Sequence, residues 1–143
     1  MNAIDTNILV YLVDRDEPVK KRQSAELLIT LGASPSATVM LWQVAVEFLS
    51  CMRRWELAGR ISRGDTVEYF DQFEGRFDLR LPTRTVLHTA LDLNTRHSLS
   101  HWDSLLVAAC IEAGVTTLYS EDMADRADYD GVRIVNPFRE VVA

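Results

Sequence analysis

Four acids in this 143-residue chain stand where carboxylates could do chemistry. Ala3-Ile4-Asp5-Thr6-Asn7 reads as a short strand that ends on an acid, Asp5, followed by two small polar residues. Glu47 shares a stripe of helical spacing with Gln43, Ser50 and Arg54. Asp103 opens the most apolar stretch of the chain, and Asp122 closes the strand-like Thr116–Tyr119. Two carboxylates about 4 Å apart repel by roughly 4 kcal/mol at an effective dielectric of about 20. Four together require protons or a hard cation among them. Mg²⁺ and Mn²⁺ take oxygen ligands and often keep several waters. An ion of that kind supplies an activated water and a polarised phosphoryl oxygen, the parts of phosphodiester hydrolysis.

Each acid also has a structural use of its own. Asp5 could cap a helix or a turn, since Asp5-Thr6-Asn7 is rich in capping residue types. Glu47 alone is an ordinary solvated helix glutamate. Ser100-His101-Trp102-Asp103 has the form of a capping box, and a carboxylate there gains about 0.3–1 kcal/mol from the helix dipole. Asp122 could cap a turn through Met123-Ala124. The shared-site reading wins because the acids come from separate elements in the order that a parallel α/β site requires. Ligands of such sheets sit at the carboxyl ends of the strands.

The positioning elements follow from pattern. Pro18 and Gly32 bracket a helix with an apolar stripe of Ala25, Leu28 and Ile29. Ala37–Met40 is a second strand. A helix over about Leu41–Leu57 ends near Gly59, its core stripe being Val44, Phe48, Cys51 and Trp55. After the turn at Arg60–Asp65, a helix carries Val67, Phe70, Phe73 and Phe77. Leu79-Arg80-Leu81 is extended, and Thr83 caps a helix bearing Val86, Leu87, Ala90 and Leu91. His101–Gly114 is apolar nearly all round, as a central buried helix is. Thr116–Tyr119 and Val132–Val135 are the last strands. The alternation predicts one α/β domain built on a parallel sheet.

Composition narrows the class. One domain of this size buries a real core, and 48% hydrophobic with 25% charged residues is ordinary for a globular protein. No apolar run has the length of a membrane span. Asp5 interrupts the start where a signal peptide needs a basic or apolar region, so a cytoplasmic protein with reduced Cys51 and Cys110 is expected. The net charge of −6 disfavours non-specific nucleic-acid binding. Lys20 and Lys21 are the only lysines; the other cations are arginines, bidentate partners for phosphate. His88, His97 and His101 lack metal-ligand spacing. Ser120 has no nucleophile-elbow context, and there is no glycine-rich phosphate loop.

The ordered acids, with their contexts, resemble the PIN-domain ribonucleases, and within them the VapC-type toxins of toxin–antitoxin pairs. The resemblance covers nearly the whole chain. It rests on IDTN at Ile4–Asn7, VEFL with Glu47, HWDSLLVAAC with Asp103, LYSED with Asp122 and VNPF at Val135–Phe138. It implies a single PIN domain over 1–143, a three-layer α/β/α fold whose twisted parallel sheet carries helices on both faces. It further implies a Mg²⁺- or Mn²⁺-dependent endoribonuclease in which a metal-activated water leaves a 5′-phosphate. Asp5, Glu47, Asp103 and Asp122 match the family's acidic quartet as catalytic metal ligands. Thr6, Asn7 and Ser120 match the polar residues that orient the acids and the scissile phosphate. A cognate VapB-type antitoxin and a homodimer are the implied partners.

Arg53, Arg54, Arg60 and Arg63, together with Trp42, are candidates for RNA or antitoxin contact. Trp42 and Trp102 are bulkier than that pattern expects and bear on substrate preference. Three rival readings remain at this stage. A receiver-like Mg²⁺-binding regulatory domain needs a late lysine, and none follows Lys21. A catalytically silent binding module is disfavoured by the intact quartet. A DNA-cleaving relative needs an extra helical arch, for which the chain lacks room.

Overall fold

The computed structural model describes residues 1–139; the last four residues of the domain expected over 1–143 lie outside that range. In chain order the elements are β1 (Asn2–Ile4), α1 (Thr6–Val13), α2 (Pro18–Ala33), β2 (Thr38–Leu41), α3 (Trp42–Leu57) and α4 (Arg63–Arg76). Then come β3 (Asp78–Arg80), α5 (Thr85–His97), α6 (His101–Ala113), β4 (Thr117–Tyr119), β5 (Asp128–Tyr129) and β6 (Val132–Val135). The strands form one sheet in the order β3-β2-β1-β4-β6-β5, with helices on both faces. Every neighbouring pair is parallel except β5 with β6.

The parallel sheet expected from the sequence is thus present, and the antiparallel β5 is an edge strand added to it. Asp130 and Gly131 both take positive φ, 53° and 93°, which is the backbone of a tight hairpin. Gly131 N–H also donates to Asp128 Oδ1 at 2.8 Å. The Asp-Gly pair was the available signal, but a two-residue strand carries no periodicity to accompany it.

The core explains the helices and corrects some of their stripes. In α3, Val44, Phe48 and Met52 are fully buried, while Cys51 and Trp55 are half-buried. The buried row of α2 is Ser24, Leu28 and Leu31; Ile29 is 70% exposed. In α4, Phe73 is buried and Val67 faces solvent. In α5, Val86, Ala90 and Leu93 are buried, whereas Leu87 and Leu91 are 60% and 68% exposed. Thr83 does not cap α5. Its backbone N–H and hydroxyl are both held by Glu112 of α6, and the helix begins two residues later. Both cysteines are free thiols, Cys110 buried and Cys51 half-buried.

Gly114 ends α6 in the left-handed conformation, φ 78°, and its N–H bonds back to Ile111. A Cβ there would find room, with Met1 Cε at 3.6 Å, so the cost of a side chain is conformational. Gly114→Ala is expected to cost about 1 kcal/mol, read as a drop of roughly 3 °C in thermal unfolding.

Candidate active site

From β1 the chain winds outward to β2 and β3, then returns to place β4 on the other side of β1. The carboxyl ends of β1 and β4 therefore mark the switch point of the sheet, where a crevice opens between diverging connections. Asp5 lies one residue past β1, and Ser120 to Asp122 follow β4 directly. Asp5 is the N-cap of α1, not the end of a longer strand: its Oδ1 accepts from Thr6 N–H at 2.7 Å. Asp122 likewise lies three residues beyond its strand, in irregular backbone. The capping reading of Asp5 is thus realised, by a carboxylate that also stands at the switch point.

Three consecutive residues wire the site together. Asp5 Oδ2 accepts a hydrogen bond from Ser120 Oγ at 2.7 Å, and Ser120 Oγ in turn accepts from Asp122 N–H at 3.3 Å. Thr6 Oγ1 donates to Glu47 Oε2 at 2.8 Å. Asn7 Nδ2 donates to Asp122 Oδ2 at 2.6 Å. Asp5, Thr6, Asn7, Glu47 and Asp122 line one cleft of about 330 Å³, together with Val10, Ser50, Cys51 and Arg54. The polar stripe of α3 is what delivers Glu47 and Arg54 to the same wall.

Asp103 enters from the first turn of α6. Its backbone N–H is capped by Ser100 Oγ at 3.2 Å, while the reciprocal half of the capping box does not form. Its carboxylate is therefore free of that structural duty. It lies close enough to Asp122 to act on it electrostatically. Gln43 ties the two sides together, donating to Glu47 Oε1 and to the Trp102 carbonyl, both at 3.1 Å. Gln43 was not singled out from sequence, although its i, i+4 spacing to Glu47 was the signal.

None of the four acids joins an ion pair among the described residues, although eight other acids do. Burial raises the Asp5 carboxyl to about 6, against bonds from Ser120 and the Thr6 N–H that lower it; the charges of Asp122 and Glu47 raise it further. Asp122 is open to solvent yet also raised, first by partial burial and then by Glu121 and Asp103; its Asn7 bond and Lys20 oppose the rise. A buried carboxylate that faces other acids rather than a cation is electrostatically unfinished. As placed, no three acidic, histidine or cysteine side chains among the described residues stand close enough to enclose an ion. Their chemistry nonetheless fits one: all four are hard oxygen donors on different elements, Asp5, Glu47 and Asp122 lining the cleft and Asp103 outside its lining but within electrostatic reach of Asp122. Asp5, Glu47, Asp103 and Asp122 are the residues that could hold Mg²⁺ or Mn²⁺.

The PIN domain profile matches residues 3–128 of the sequence. The chain belongs to the PIN domain family. No curated protein matches it in sequence. Solved structures share its fold at low identity. A toxin–antitoxin complex from Klebsiella pneumoniae is 17% identical with a TM-score of 0.66, over 98% of this chain and 100% of that one. VapC20 of Mycobacterium tuberculosis, described as a sarcin-ricin loop cleaving toxin, is 18% identical with a TM-score of 0.60, over 85% and 90% of the two chains. VapBC2 of Rickettsia felis, bound to a promoter DNA fragment, is 17% identical with a TM-score of 0.59, over 85% and 86%.

In this PIN domain the candidate contact residues divide. Arg53 and Arg63 pair with Glu56, and Arg60 pairs with Asp14 and Asp16 and stacks on Trp55. Arg63 thus joins α4 to α3, Arg60 joins the α3–α4 turn to the α1–α2 loop, and the Arg53 pair lies within α3. Arg54 forms no ion pair among the described residues; it donates to Ser50 Oγ at 3.3 Å and lines the acidic cleft. Trp42 lies outside that cleft. It lines a neighbouring groove of about 460 Å³ with Trp102, Val46, Leu87 and Leu105.

Proposed function

We propose that this PIN domain is a Mg²⁺- or Mn²⁺-dependent endoribonuclease, the toxin of a toxin–antitoxin pair silenced by a VapB-type antitoxin. The observation that carries the reading is a set of acids at the sheet's switch point, Asp5, Glu47 and Asp122 lining one cleft and Asp103 within electrostatic reach of Asp122, with no cation paired to them among the described residues and Asp5 buried. Asp5, Glu47, Asp103 and Asp122 would be the ligands. A divalent ion held there would supply a Lewis acid for the phosphate and lower the pKa of an attacking water. Ser120 and the Thr6 N–H fix the Asp5 carboxylate, Thr6 and Gln43 fix Glu47, and Asn7 fixes Asp122. Arg54 supplies the positive charge that a substrate phosphate needs in an otherwise acidic cleft. The RNA-cleaving description of VapC20, and the antitoxins of its structural neighbours, support the substrate and the partner. No helix among the described residues is long and apolar enough to cross a membrane.

The test is incubation of the purified protein with a structured RNA in Mg²⁺ and in EDTA. Cutting only with metal, leaving 5′-phosphate ends, supports the reading; equal cutting in EDTA sinks it. Arg54→Ala is expected to raise KM for RNA about tenfold, the loss of one charge-assisted contact, with a smaller effect on kcat.

A homodimer completes the proposal. Trp42, Val46, Leu87 and Trp102 are exposed and line one groove, an apolar face on α3, α5 and the start of α6 of a kind that monomers rarely leave open. A second copy is the occupant we assign to it. Leu87→Asp is expected to convert a dimer to a monomer in sedimentation; a wild-type monomer would remove this part of the proposal.

A further inference from the structure

We propose that Lys20, Tyr11 and Glu121 form a clamp that positions Asp122 for cation binding. The inference rests on the metal-site reading above and adds residues to it.

The need for a clamp is visible in the backbone. After β4 the chain is pinned at Ser120, whose N–H bonds to the Val135 carbonyl at 3.0 Å, and again at Arg126, whose N–H bonds to the Ile134 carbonyl at 2.8 Å. Between these points the chain forms no helix or strand, yet it carries Asp122. Side chains hold it. Asn7 and Tyr11 are four residues apart on α1 and share one face of that helix. Asn7 takes Asp122, and one turn later the Tyr11 hydroxyl donates to Glu121 Oε1. Adjacent carboxylates of the loop are thus gripped by adjacent turns of the helix that Asp5 caps.

Lys20 closes the grip from α2. Its Nζ donates to Glu121 Oε2 at 2.9 Å and to the Tyr11 hydroxyl at 3.1 Å. The ammonium also lies 4.8 Å from the Tyr11 ring centre and 5.5 Å from that of Phe138, and those two rings pack edge to face. The Glu121 side chain is 16% exposed, so this is a partly desolvated pair, better held than an open surface bridge. Lys20 acts on Asp122 without touching it, by anchoring the neighbouring residue.

Lys20 is therefore a positioning residue, and its effect should pass through Asp122. The experiment titrates Mn²⁺ into the full chain by calorimetry, with no RNA present, for wild type, Lys20→Met, Lys20→Arg, Asp122→Asn and Lys20→Met with Asp122→Asn. Loss of an outer partner of a metal ligand typically costs about 10–100-fold in affinity. Lys20→Met is expected to weaken Mn²⁺ binding roughly tenfold, and Lys20→Arg to recover most of it. In the Asp122→Asn background, Lys20→Met should change the affinity no further. Thermal unfolding without metal shows whether each variant is folded, and Tyr11→Phe offers a second lesion confined to one hydroxyl. The clamp is overturned if Lys20→Met binds Mn²⁺ like wild type, or if its loss adds in full to that of Asp122→Asn. A wild type that binds no Mn²⁺ overturns the metal-site reading itself, and the clamp with it.

Discussion

Asp5→Asn is expected to make the metal-free protein more stable while abolishing RNA cleavage. The Asp5 carboxyl titrates at about 6 in the fold against 3.8 when unperturbed, so the folded state holds its proton more tightly than the unfolded chain does. Ionised Asp5 therefore costs the fold about 3 kcal/mol at neutral pH. That cost is fully present above pH 6 and is relieved as pH falls from about 6 toward 3.8. Asparagine keeps the oxygen that accepts the Thr6 N–H and removes the charge. At roughly 3 °C per kcal/mol, and allowing for disturbance of the Ser120 bond, melting should rise by about 5 °C. Cleavage should fall on the order of a hundredfold or more, since even outer-shell changes around a metal cost about 10–100-fold. A variant that is both less stable and still active would contradict both halves. This is the stability–activity trade-off of a site built from like charges.

Cation affinity should fall with acidity while metal-free stability moves the other way. Below pH 6 an ion must displace the Asp5 proton, so apparent affinity drops toward tenfold per pH unit. Between pH 7.5 and 5 the loss from Asp5 alone is about tenfold, and Asp122, also raised, adds to it. Over the same interval the metal-free protein gains the stability that neutralising Asp5 returns to it. Melting curves with and without Mn²⁺ should therefore converge as pH falls, the stabilisation by metal shrinking from both sides. In Asp5→Asn the two curves should coincide across the range. Parallel curves for wild type would mean that the ion binds away from Asp5.

The contribution of the sequence is uneven, and for physical reasons. The helices from Leu41 to Leu57 and from His101 to Gly114 were legible because their burial is periodic or total, and both end on glycine signals. The four candidate acids stood out because each sits beside an apolar run that fixes its element. What the sequence hid is pairwise and distant. Nothing in the spacing of Thr6 and Glu47, or of Asn7 and Asp122, says that they touch; the topology that puts β4 beside β1 decides it. The same holds for Lys20 and Glu121, and for the sorting of the arginines, where Arg54 alone of four faces the cleft. The exposed Leu87 and Leu91 looked like core because apolar residues at helical spacing read the same whichever side of the helix meets the core.

The central claim is that Asp5, Glu47, Asp103 and Asp122 form one divalent-cation site, and calorimetric titration of Mn²⁺ into wild type and Asp5→Asn at pH 7.5 tests it most directly. The expected result is saturable binding to wild type and none to the variant, with both folded by circular dichroism. Binding of equal strength to both, or to neither, would contradict it.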